Sequence, residues 1–530
     1  MFAALRQALQ RDPLTWITVI AAVPRLVAAV FSGGYFAHDD HFLVIEAAQS
    51  WVAGADYNAW LPWNQHGIPH PTGHMLVYPG LHFLLLRSWD WLGFDDPALK
   101  MVLVRVLHAA WSLITVRVGY RIIRRLAGEQ AALHGGLWLA LFWFAPFLSV
   151  RNLVEMVSAP LVLLAGWWLI RAEDAKSALP AHGGSAPDPD RTAMRSLLIA
   201  GIFAGLAVNI RFQTVFVGAG MGLGLLLLRR WMHAVWFGVG MCAPLILLQS
   251  GIDLAIWGRP FAELTEYVRY NLANPENTGI DLPWYQYLLM LALALVPPLS
   301  LAWCVGFFRS PRPLPVWTGV VLFLLFHSIF PNKQERFLLP VIPLFFVLGY
   351  AGWLRWQADS SWWKARSGAW RAGTAIAWTL NVMLLLPLSV SFSKRERVEA
   401  MAMLRAHPAI RGFIIEDSVE GEAPWMPLYY WGRWDGVKDP YTDPKADLKA
   451  LVELNAPGER ANAILLVGTE QLEERVARAT AAMGPLTFIG AAQPGLLDRT
   501  LHWLNPMNRN EVILVYASRD ALNSGGPRSD

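Results

Sequence analysis

The sequence predicts an all-α polytopic membrane protein with about eleven transmembrane helices, followed by a small C-terminal α/β domain on the external side. The chain is 55% hydrophobic and only 16% charged, whereas soluble domains carry about 25% charged residues. Its 27 Trp and 25 Phe residues suit the aromatic belts of a membrane protein, where amphipathic rings lie at headgroup level. The net charge of +4 is small and the basic residues lie in short connections, which favours membrane orientation over nucleic-acid binding.

The predicted spans are the apolar segments of the chain, since a bilayer core needs about 17–25 helical residues. These segments are residues 14–31, 101–118, 132–150, 156–170, 196–209, 214–228, 234–250, 284–307, 314–330, 337–354 and 373–392. No small-residue cleavage site accompanies the first segment, so we expect a retained helix rather than a signal peptide. Cys242 and Cys304 lie inside apolar segments and are expected to be buried hydrophobes, not disulfide or zinc ligands.

The basic residues predict the orientation of the spans. With the N-terminus in the cytoplasm and the spans alternating, the cytoplasmic connections hold more than twice as many Lys and Arg residues as the external ones. Because basic residues are enriched in cytoplasmic loops, the N-terminus is predicted to be inside.

This topology divides the chain into a transmembrane module, residues 1–392, and an external α/β domain, residues 393–530. The module carries external loops at 33–100 and 251–283. In the tail, residues 412–415, 463–467 and 511–516 have the pattern of strands and residues 471–483 that of a helix. Residues 172–193 have the composition of a flexible cytoplasmic linker.

The first external loop begins with four consecutive titratable residues at the membrane edge, His38, Asp39, Asp40 and His41. Two adjacent carboxylates cannot both ionise easily when partly desolvated, so we expect one of them to have a raised pKa. Such a group suits a general base that takes a proton from a hydroxyl. Alternatively, Asp39 or Asp40 caps the helix that follows. The two roles are compatible if one Asp is the general base and the other is the helix cap.

A second cluster, Lys333, Glu335 and Arg336, lies at another external membrane boundary. Its basic side chains either extend along apolar surface to the headgroups, as is common at helix ends, or hold a phosphate. For a phosphate, arginine supplies a bidentate fork and lysine a point charge.

The predicted topology places Arg151, Glu155 and Arg211 at the same external level. Ionisable residues at membrane depth are functional candidates that require partners. Arg151 and Glu155 are also four residues apart, which equally fits a structural ion pair on a helix.

His66, His70 and His74 are four residues apart in the first loop. On a continuous helix this spacing would align metal ligands, but the Pro and Gly residues between them disfavour a helix. Histidines that contact substrate or stabilise the loop are therefore favoured over a metal site, and neither a metal nor a cofactor is expected.

These motifs together resemble the GT-C glycosyltransferases, specifically glycosyltransferase family 22, which includes the dolichyl-phosphate-mannose-dependent mannosyltransferases of GPI-anchor and N-glycan assembly. HDDHFLVIEA is similar to the family's acidic first-loop motif, and VRNLVEM and IRFQT resemble its Arg-Asn…Glu and Arg-x-Thr-like segments. GIDLAIWGRPF and LPWYQYL resemble its second external loop, with Asp253 and Trp284 in matching places. NKQERFLLPVIPL is close to its His-Lys-Glu-x-Arg-Phe signature, although Asn332 replaces the His and Gln334 is extra. HGIPHPTGH stands where the family has a basic, Ser-containing stretch.

The resemblance implies the GT-C fold and an enzyme that needs no metal. Such an enzyme would transfer a sugar, expected to be mannose, from a polyprenyl- or dolichyl-phosphate sugar to a glycan or glycolipid with inversion. Asp39 would take the acceptor proton, Asp40 would help place the acceptor or donor, and the donor phosphate would lie near Lys333 and Arg336. The other residues implied to contact substrates are His38, His41, Glu46, Arg151, Glu155, Arg211, Asp253, Trp284 and Glu335.

Two alternatives remain open. One is transfer of another sugar, of the aminoarabinose or arabinofuranose type. The other is a lipid-linked-sugar transporter or flippase, which the absence of internal repeats with paired broken helices disfavours. The Ala-, Arg- and Trp-rich composition favours a bacterial protein, which would lie in the inner membrane with its site on the external face.

Overall fold

The computed structural model describes residues 12–177, 189–275, 282–417, 423–434, 437–441, 447–454, 456, 458–505 and 510–523. The chain divides into two units. The helical unit comprises Met1–Ala29, Ala59–Leu81 and Val104–Ser389, and the mixed unit comprises Val30–Asn58, His82–Leu103 and Val390–Asp530.

The described part of the chain contains six helices that are long and apolar enough to cross a membrane. They are Pro13–Phe31, Pro97–Ala127, Val154–Ala175, Asp190–Ile210, Trp231–Trp257 and Ser367–Ser389. Leu299–Arg309 and Leu314–Ile329 form a seventh candidate with a bend of 117°. The prediction of a multi-pass membrane protein is confirmed. Six of the eleven predicted spans meet this criterion in the described residues, and the bent pair joins parts of two others, 284–307 and 314–330.

The remaining predicted spans are interrupted or short helices. Residues 132–150 divide into Glu129–Leu141 and Ala145–Ser149, and residues 284–307 divide into Gln286–Ala294 and Leu299–Arg309. Pro146, Pro297 and Pro298 lie at these two breaks. Proline cannot donate a backbone hydrogen bond and its ring clashes with the preceding turn, so a helix ends or bends there.

Among the other helices of the helical unit, Val215–Leu227 and Ile342–Asp359 overlap the predicted spans 214–228 and 337–354 but do not meet the criterion for crossing a membrane. The α-helices are Val215–Leu227, Ala262–Ala273, Ile342–Asp359 and Ser361–Ala365, and Val77–Trp91 continues into the mixed unit. The 3₁₀ helices are Pro62–Asn64, Phe212–Thr214 and Glu335–Leu338. Helix Val154–Ser177 ends, and helix Pro189–Ile210 begins, inside the predicted linker, whose residues 178–188 lie outside the described residues.

Close helix packing in this unit depends on small residues. A Cβ atom at Gly201 would lie 2.1 Å from the carbonyl oxygen of Phe237, so only glycine lets helices Pro189–Ile210 and Trp231–Pro244 approach this closely. Small residues at helix contacts are the usual means by which membrane helices gain van der Waals packing.

Arg25, in the first span, is a buried cation that sequence reasoning did not single out. Its guanidinium donates to the carbonyl oxygens of Ala21 (2.9 Å), Ala140 (2.7 Å) and Leu139 (3.3 Å), and to the hydroxyl of Ser112 (3.0 Å). Leu139 and Ala140 are in the last turn of helix Glu129–Leu141, where carbonyl groups lack intrahelical partners. Arg25 therefore stabilises the end of this interrupted helix.

The mixed unit contains a five-stranded sheet of order β2-β1-β3-β5-β4. The strands are β1 (Phe413–Asp417), β2 (Val437–Tyr441), β3 (Ala463–Val467), β4 (Leu486–Ala492) and β5 (Ile513–Ser518). β1 pairs in parallel with β2 and β3, whereas β5 is antiparallel to β3 and β4. Helices Arg395–Arg405, Leu448–Glu453, Leu472–Met483, Leu496–Leu504 and Arg519–Asn523 accompany the sheet.

The three strands and the helix predicted in the tail are present, but β2 and β4 were not predicted. β2 has the sequence VKDPY, which lacks an apolar pattern and contains a proline, a residue tolerated mainly on edge strands. β1 and β3 are buried along their whole length, which is typical of strands covered on both faces.

This unit also includes parts of the first loop, so its boundary differs from the predicted division at residue 393. The backbone of Ser393 donates to the carbonyl oxygen of Gly33 at 3.2 Å, and the Ser32 hydroxyl donates to that of Ser391 at 2.7 Å. Gly34 has a positive φ of 69°, and a Cβ atom there would lie 1.7 Å from the carbonyl oxygen of Ser393. The start of the loop and the start of the tail are thus joined.

Candidate active site

The acidic pair lies on one short helical turn, His38–His41, which continues into a π-helical turn, Phe42–Glu46. Asp40 is buried, and its carboxylate accepts hydrogen bonds from the backbone N–H groups of Phe36 (2.9 Å) and Ala37 (3.1 Å). Asp40 is the third residue of the turn, whose N-cap is Ala37, so it binds the backbone that leads into the turn and is not itself the N-cap of the helix that follows. Asp39 is half-buried.

We call His38–His41 the acid turn. Its last residue, His41, is buried together with Glu46 of the π-helical turn. The Nε2 atom of His41 lies 3.0 Å from Oε1 of Glu46, and the two side chains are 1% and 0% exposed. Burial raises the pKa of Glu46, while the hydrogen bonds from His41 and from the Tyr429 backbone lower it. Because both side chains are inside the unit, they stabilise the acid turn, and their predicted contact with substrate stays a prediction.

A segment of the tail, Trp425–Trp431, packs against the acid turn and was missed by sequence reasoning. The backbone N–H of Tyr429 donates to both carboxylate oxygens of Glu46, at 2.9 and 3.1 Å. The His41 ring stacks between those of Tyr35 (4.9 Å) and Tyr430 (5.7 Å). The sequence signal was the density of aromatic residues in PWMPLYYW, a pattern that does not reveal its partner.

The helical unit brings together three ionic side chains that the sequence spreads over three segments. Glu155 lies in the first turn of helix Val154–Ser177. The Arg211 Nη1 atom lies 2.9 Å from Oε1 of Glu155, and the Arg336 Nε atom lies 3.7 Å from the same oxygen. We call Glu155, Arg211 and Arg336 the basic cluster, since two guanidinium groups face one carboxylate.

Local structure places each of these side chains. Arg211 is in extended conformation between two helices, and Arg336 lies in the 3₁₀ helix Glu335–Leu338. Gln334, the residue extra to the family signature, accepts a hydrogen bond from Arg336 Nε at 2.8 Å. Both guanidinium groups lie over the Phe337 ring, at 4.7 and 5.7 Å from its centroid. These contacts orient the cations.

The cluster has donor capacity left for an anion. The Nε and Nη2 atoms of Arg211 are buried and have no hydrogen-bond partner among the residues that the structure describes. Since buried polar groups are nearly always paired and the two cations outnumber the single anion, the cluster has the chemistry of an anion-binding site.

Three other predicted residues have different environments. Arg151 is 2% exposed, with its guanidinium 4.4 Å from the Phe147 ring centroid. Lys333 is buried and donates to the carbonyl oxygen of Phe330 at 2.9 Å, at the end of helix Leu314–Ile329, where a cation is favourable. Glu335 is exposed.

Two buried acids lie in the region predicted as the second external loop, Asp253 near the end of helix Trp231–Trp257 and Glu263 at the start of helix Ala262–Ala273. Asp253 accepts from Gln249 Nε2 (2.9 Å) and from the backbone of Glu263 (3.2 Å). Glu263 in turn accepts from the backbone N–H groups of Gly73 (2.6 Å) and His74 (3.1 Å). Asp253 thus helps to position Glu263, which binds the backbone of the first loop. Trp284 is 66% exposed, with its ring against Tyr285.

The prediction that the three loop histidines do not share a helix is confirmed. The structure has no α-helix between Trp60 and Leu76, and the His74 ring stacks on Trp60 at 4.5 Å. In the described part of the chain, no group of three or more His, Cys, Asp or Glu residues could hold a metal ion.

The comparisons with known proteins agree with these observations. The family model described as the Alg9-like mannosyltransferase family matches residues 16–411. GPI mannosyltransferase 3 of Yarrowia lipolytica is 22% identical over 336 residues, covering 62% of this chain and 60% of that protein. Mannosyltransferase APTG1 of Arabidopsis thaliana is 23% identical over 337 residues, covering 62% and 56%. The match therefore spans less than two thirds of the length of these relatives.

Solved structures show the same fold at low sequence identity. ArnT from Cupriavidus metallidurans in the apo state has a TM-score of 0.56 and 11% identity, covering 98% of this chain and 100% of that chain. Its structure bound to undecaprenyl phosphate has a TM-score of 0.53 and 12% identity, covering 97% and 99%. AglB, the archaeal oligosaccharyltransferase from Archaeoglobus fulgidus, in complex with an inhibitory peptide and a dolichol-phosphate, has a TM-score of 0.51 and 12% identity, covering 90% and 72%. The expected GT-C fold is confirmed.

Proposed function

The chain belongs to the Alg9-like mannosyltransferase family, and from this premise we propose that it is a membrane mannosyltransferase. Its donor is a polyprenyl- or dolichyl-phosphate mannose and its acceptor is a hydroxyl group of a glycan or glycolipid. The observation that carries the proposal is the buried basic cluster, in which two guanidinium groups face one carboxylate.

The basic cluster is assigned to the phosphate of the donor. Arginine binds phosphate with two parallel hydrogen bonds, and Arg211 has two buried nitrogen atoms without a hydrogen-bond partner in the described residues. Lys333, three residues before Arg336, and Arg151, four residues before Glu155, are proposed to add positive charge. ArnT and AglB, which share this fold, were solved with undecaprenyl phosphate and dolichol-phosphate, which supports a lipid phosphate as the ligand.

Asp39 is assigned as the general base. The acceptor oxygen attacks the anomeric carbon, its proton passes to Asp39, and the bond from that carbon to the lipid-phosphate oxygen breaks with inversion. The negative charge that develops on the leaving phosphate is stabilised by the arginines, so positioning and electrostatics supply most of the catalysis. Asp40 acts as a positioning residue, because its carboxylate holds the backbone of Phe36 and Ala37.

The proposal places the reaction on the external face of the membrane. The excess of basic residues in the alternate connections supports a cytoplasmic N-terminus, which puts the first loop and the tail outside. The interrupted helices then complete about eleven crossings, as non-helical breaks are tolerated where neighbouring helices satisfy the backbone. A bacterial inner membrane is proposed from the composition alone, since the relatives described above are from a yeast and a plant.

The first experiment tests Asp39. Purified full-length protein in detergent is given polyprenyl-phosphate mannose and acceptor glycans, and Asp39→Asn is expected to reduce transfer by about 10²–10⁴-fold, the usual contribution of a general base. Asp95→Asn, which alters an exposed carboxylate of the same unit, is the control and should keep normal activity. Full activity of Asp39→Asn would remove Asp39 as the base.

The second experiment tests the phosphate site. Arg336→Ala is expected to weaken the binding of polyprenyl phosphate about tenfold or more, since a hydrogen bond to a charged group contributes about 1.5–3 kcal/mol. Acceptor affinity should not change. The control is Arg259→Ala, which removes an exposed arginine. Equal polyprenyl-phosphate affinity in the unmodified protein, Arg336→Ala and Arg259→Ala would contradict the assignment.

A further inference from the structure

An exposed tryptophan of the tail lies directly against the acid turn. Trp425 is 54% exposed, and its ring meets the His38 ring edge to face, with centroids 5.1 Å apart and an angle of 85° between the planes. It also meets the buried ring of Phe42 at 5.9 Å and 71°, and His38 stacks on Phe42 at 4.6 Å. The three rings form one aromatic group, in which His38 and Trp425 are exposed and Phe42 is buried.

The backbone next to Trp425 is fixed by buried contacts. The N–H group of Tyr429 donates to both oxygens of Glu46, which is 0% exposed, and Tyr430 stacks on His41. Pro424 and Pro427 flank the position and restrict φ to about −65°. A ring held in this way loses little conformational entropy when it binds a ligand, which favours affinity.

The position of Asp39 determines what lies over this aromatic group. A general base must come within about 3 Å of the hydroxyl group whose proton it takes. The acceptor sugar must therefore lie against the turn that carries Asp39. His38 is the adjacent residue of that turn, about 3.8 Å away along the backbone, and Trp425 contacts its ring.

Aromatic rings suit this ligand class. A pyranose ring presents a face of C–H groups, which packs on the face of an aromatic ring, while its hydroxyl groups remain available for hydrogen bonds. Indole combines a large apolar surface with two side-chain torsions, so it supplies contact area at low entropic cost.

We propose that Trp425, together with His38, forms a stacking platform for a pyranose ring of the acceptor glycan. The inference rests on the proposed function, because it takes Asp39 as the base. Trp425 lies beyond residue 411, where the match to the family model ends. His38 lies inside that match, so Trp425 is the part of the platform that the family match does not cover.

Trp425 also has a simpler explanation as a membrane-interface anchor, since Trp is enriched at headgroup level. The two roles differ in what they bind, because an anchor contacts lipid and leaves soluble sugars unaffected. Trp503 is 79% exposed in the same unit and provides the matched control.

The test measures sugar binding without turnover. Methyl α-mannoside and methyl α-glucoside are titrated into full-length Asp39→Asn protein in detergent, and saturation-transfer NMR measures the binding. The titration is repeated on three double variants, in which Asp39→Asn is combined with Trp425→Ala, Trp425→Phe or Trp503→Ala. Trp425→Ala is expected to weaken binding about tenfold, because it removes the ring on which the sugar packs; this factor of ten is the low end of the loss seen when a nucleobase loses an aromatic stacking partner. Trp425→Phe should retain most of the affinity, and Trp503→Ala all of it.

Three results overturn the platform: no glycoside binding to the Asp39→Asn protein, unchanged binding in Trp425→Ala, or an equal loss in Trp503→Ala. In turnover assays, Trp425→Ala should raise the KM for the acceptor about tenfold and leave the donor KM unchanged. The binding readout does not require catalysis, so full activity of Asp39→Asn would refute the base assignment while the glycoside titration still decides the platform.

Discussion

Glu263 is expected to make the helical unit less stable as the pH rises from 4.5 towards 7. Burial, and to a smaller extent the nearby Asp253, raise the pKa of Glu263 from its ordinary value of 4.5 to about 7, although the N–H groups of Gly73 and His74 oppose this change. In this pH window the folded protein binds a proton that the unfolded chain has released. Stability is therefore fully present below 4.5 and is lost as the pH rises through the folded pKa.

The magnitude follows from the two pKa values of this carboxyl group. A raise from 4.5 to about 7 corresponds to about 3 kcal/mol of unfolding free energy, which is a large part of the net stability of a typical domain. The loss of stability should affect the first loop, because its residues Gly73 and His74 donate hydrogen bonds to the Glu263 carboxylate. Above pH 7 the ionised group remains buried at the full desolvation cost.

The assay is thermal unfolding of purified protein in detergent at pH values from 5 to 8. The Tm of the unmodified protein should fall over this range, whereas Glu263→Gln, which keeps the shape but cannot ionise, should show a flatter profile. Glu266→Gln is the control on the same helix, because Glu266 pairs with Arg269 at 2.6 Å and has a lowered pKa. A Tm that rises with pH, or the same slope in Glu263→Gln, would refute the reasoning.

Two further predictions concern buried polar contacts. Glu46→Ala leaves the Tyr429 N–H and the His41 ring without their acceptor, which costs about 1–3 kcal/mol for each unsatisfied buried group. The segment Trp425–Trp431 should therefore open more often and its amide hydrogens should exchange faster. Unchanged protection from exchange would contradict the anchoring of this segment by Glu46. Arg25→Met removes the donor to three carbonyl groups and a hydroxyl and should lower the Tm by several degrees, with Arg25→Lys intermediate; an unchanged Tm in Arg25→Met would contradict this role.

Local sequence patterns were sufficient for the features that depend on neighbouring residues. The apolar segments identified the helices that are long enough to cross a membrane, because the bilayer selects for length and hydropathy within one segment. The strands β1 and β3 and the helix Leu472–Met483 were visible for the same reason, since their apolar runs and periodicity are continuous. The acid turn could also be located from the sequence, because the two acids of HDDH are consecutive in the chain.

Contacts between residues that are distant in the chain could not be predicted from such local patterns. The spacing of Arg151 and Glu155 fits a helical ion pair, yet the carboxylate of Glu155 pairs with Arg211 and Arg336, which only the packing of three separate segments brings together. Which of the two acids binds backbone depended on the positions of the Phe36 and Ala37 N–H groups, and Asp40 accepts from both.

The sequence by itself determined the membrane character of this protein, its helical segments and the family to which it belongs, because hydropathy and short motifs are properties of contiguous residues. Only the tertiary structure decided which charges are compensated and which aromatic residues adjoin the acid turn. Tyr429 reaches Glu46 across 383 residues of sequence, and no local pattern encodes a contact of that kind. The free energy of such contacts comes from burial shared between distant segments, which exists only once the chain has folded.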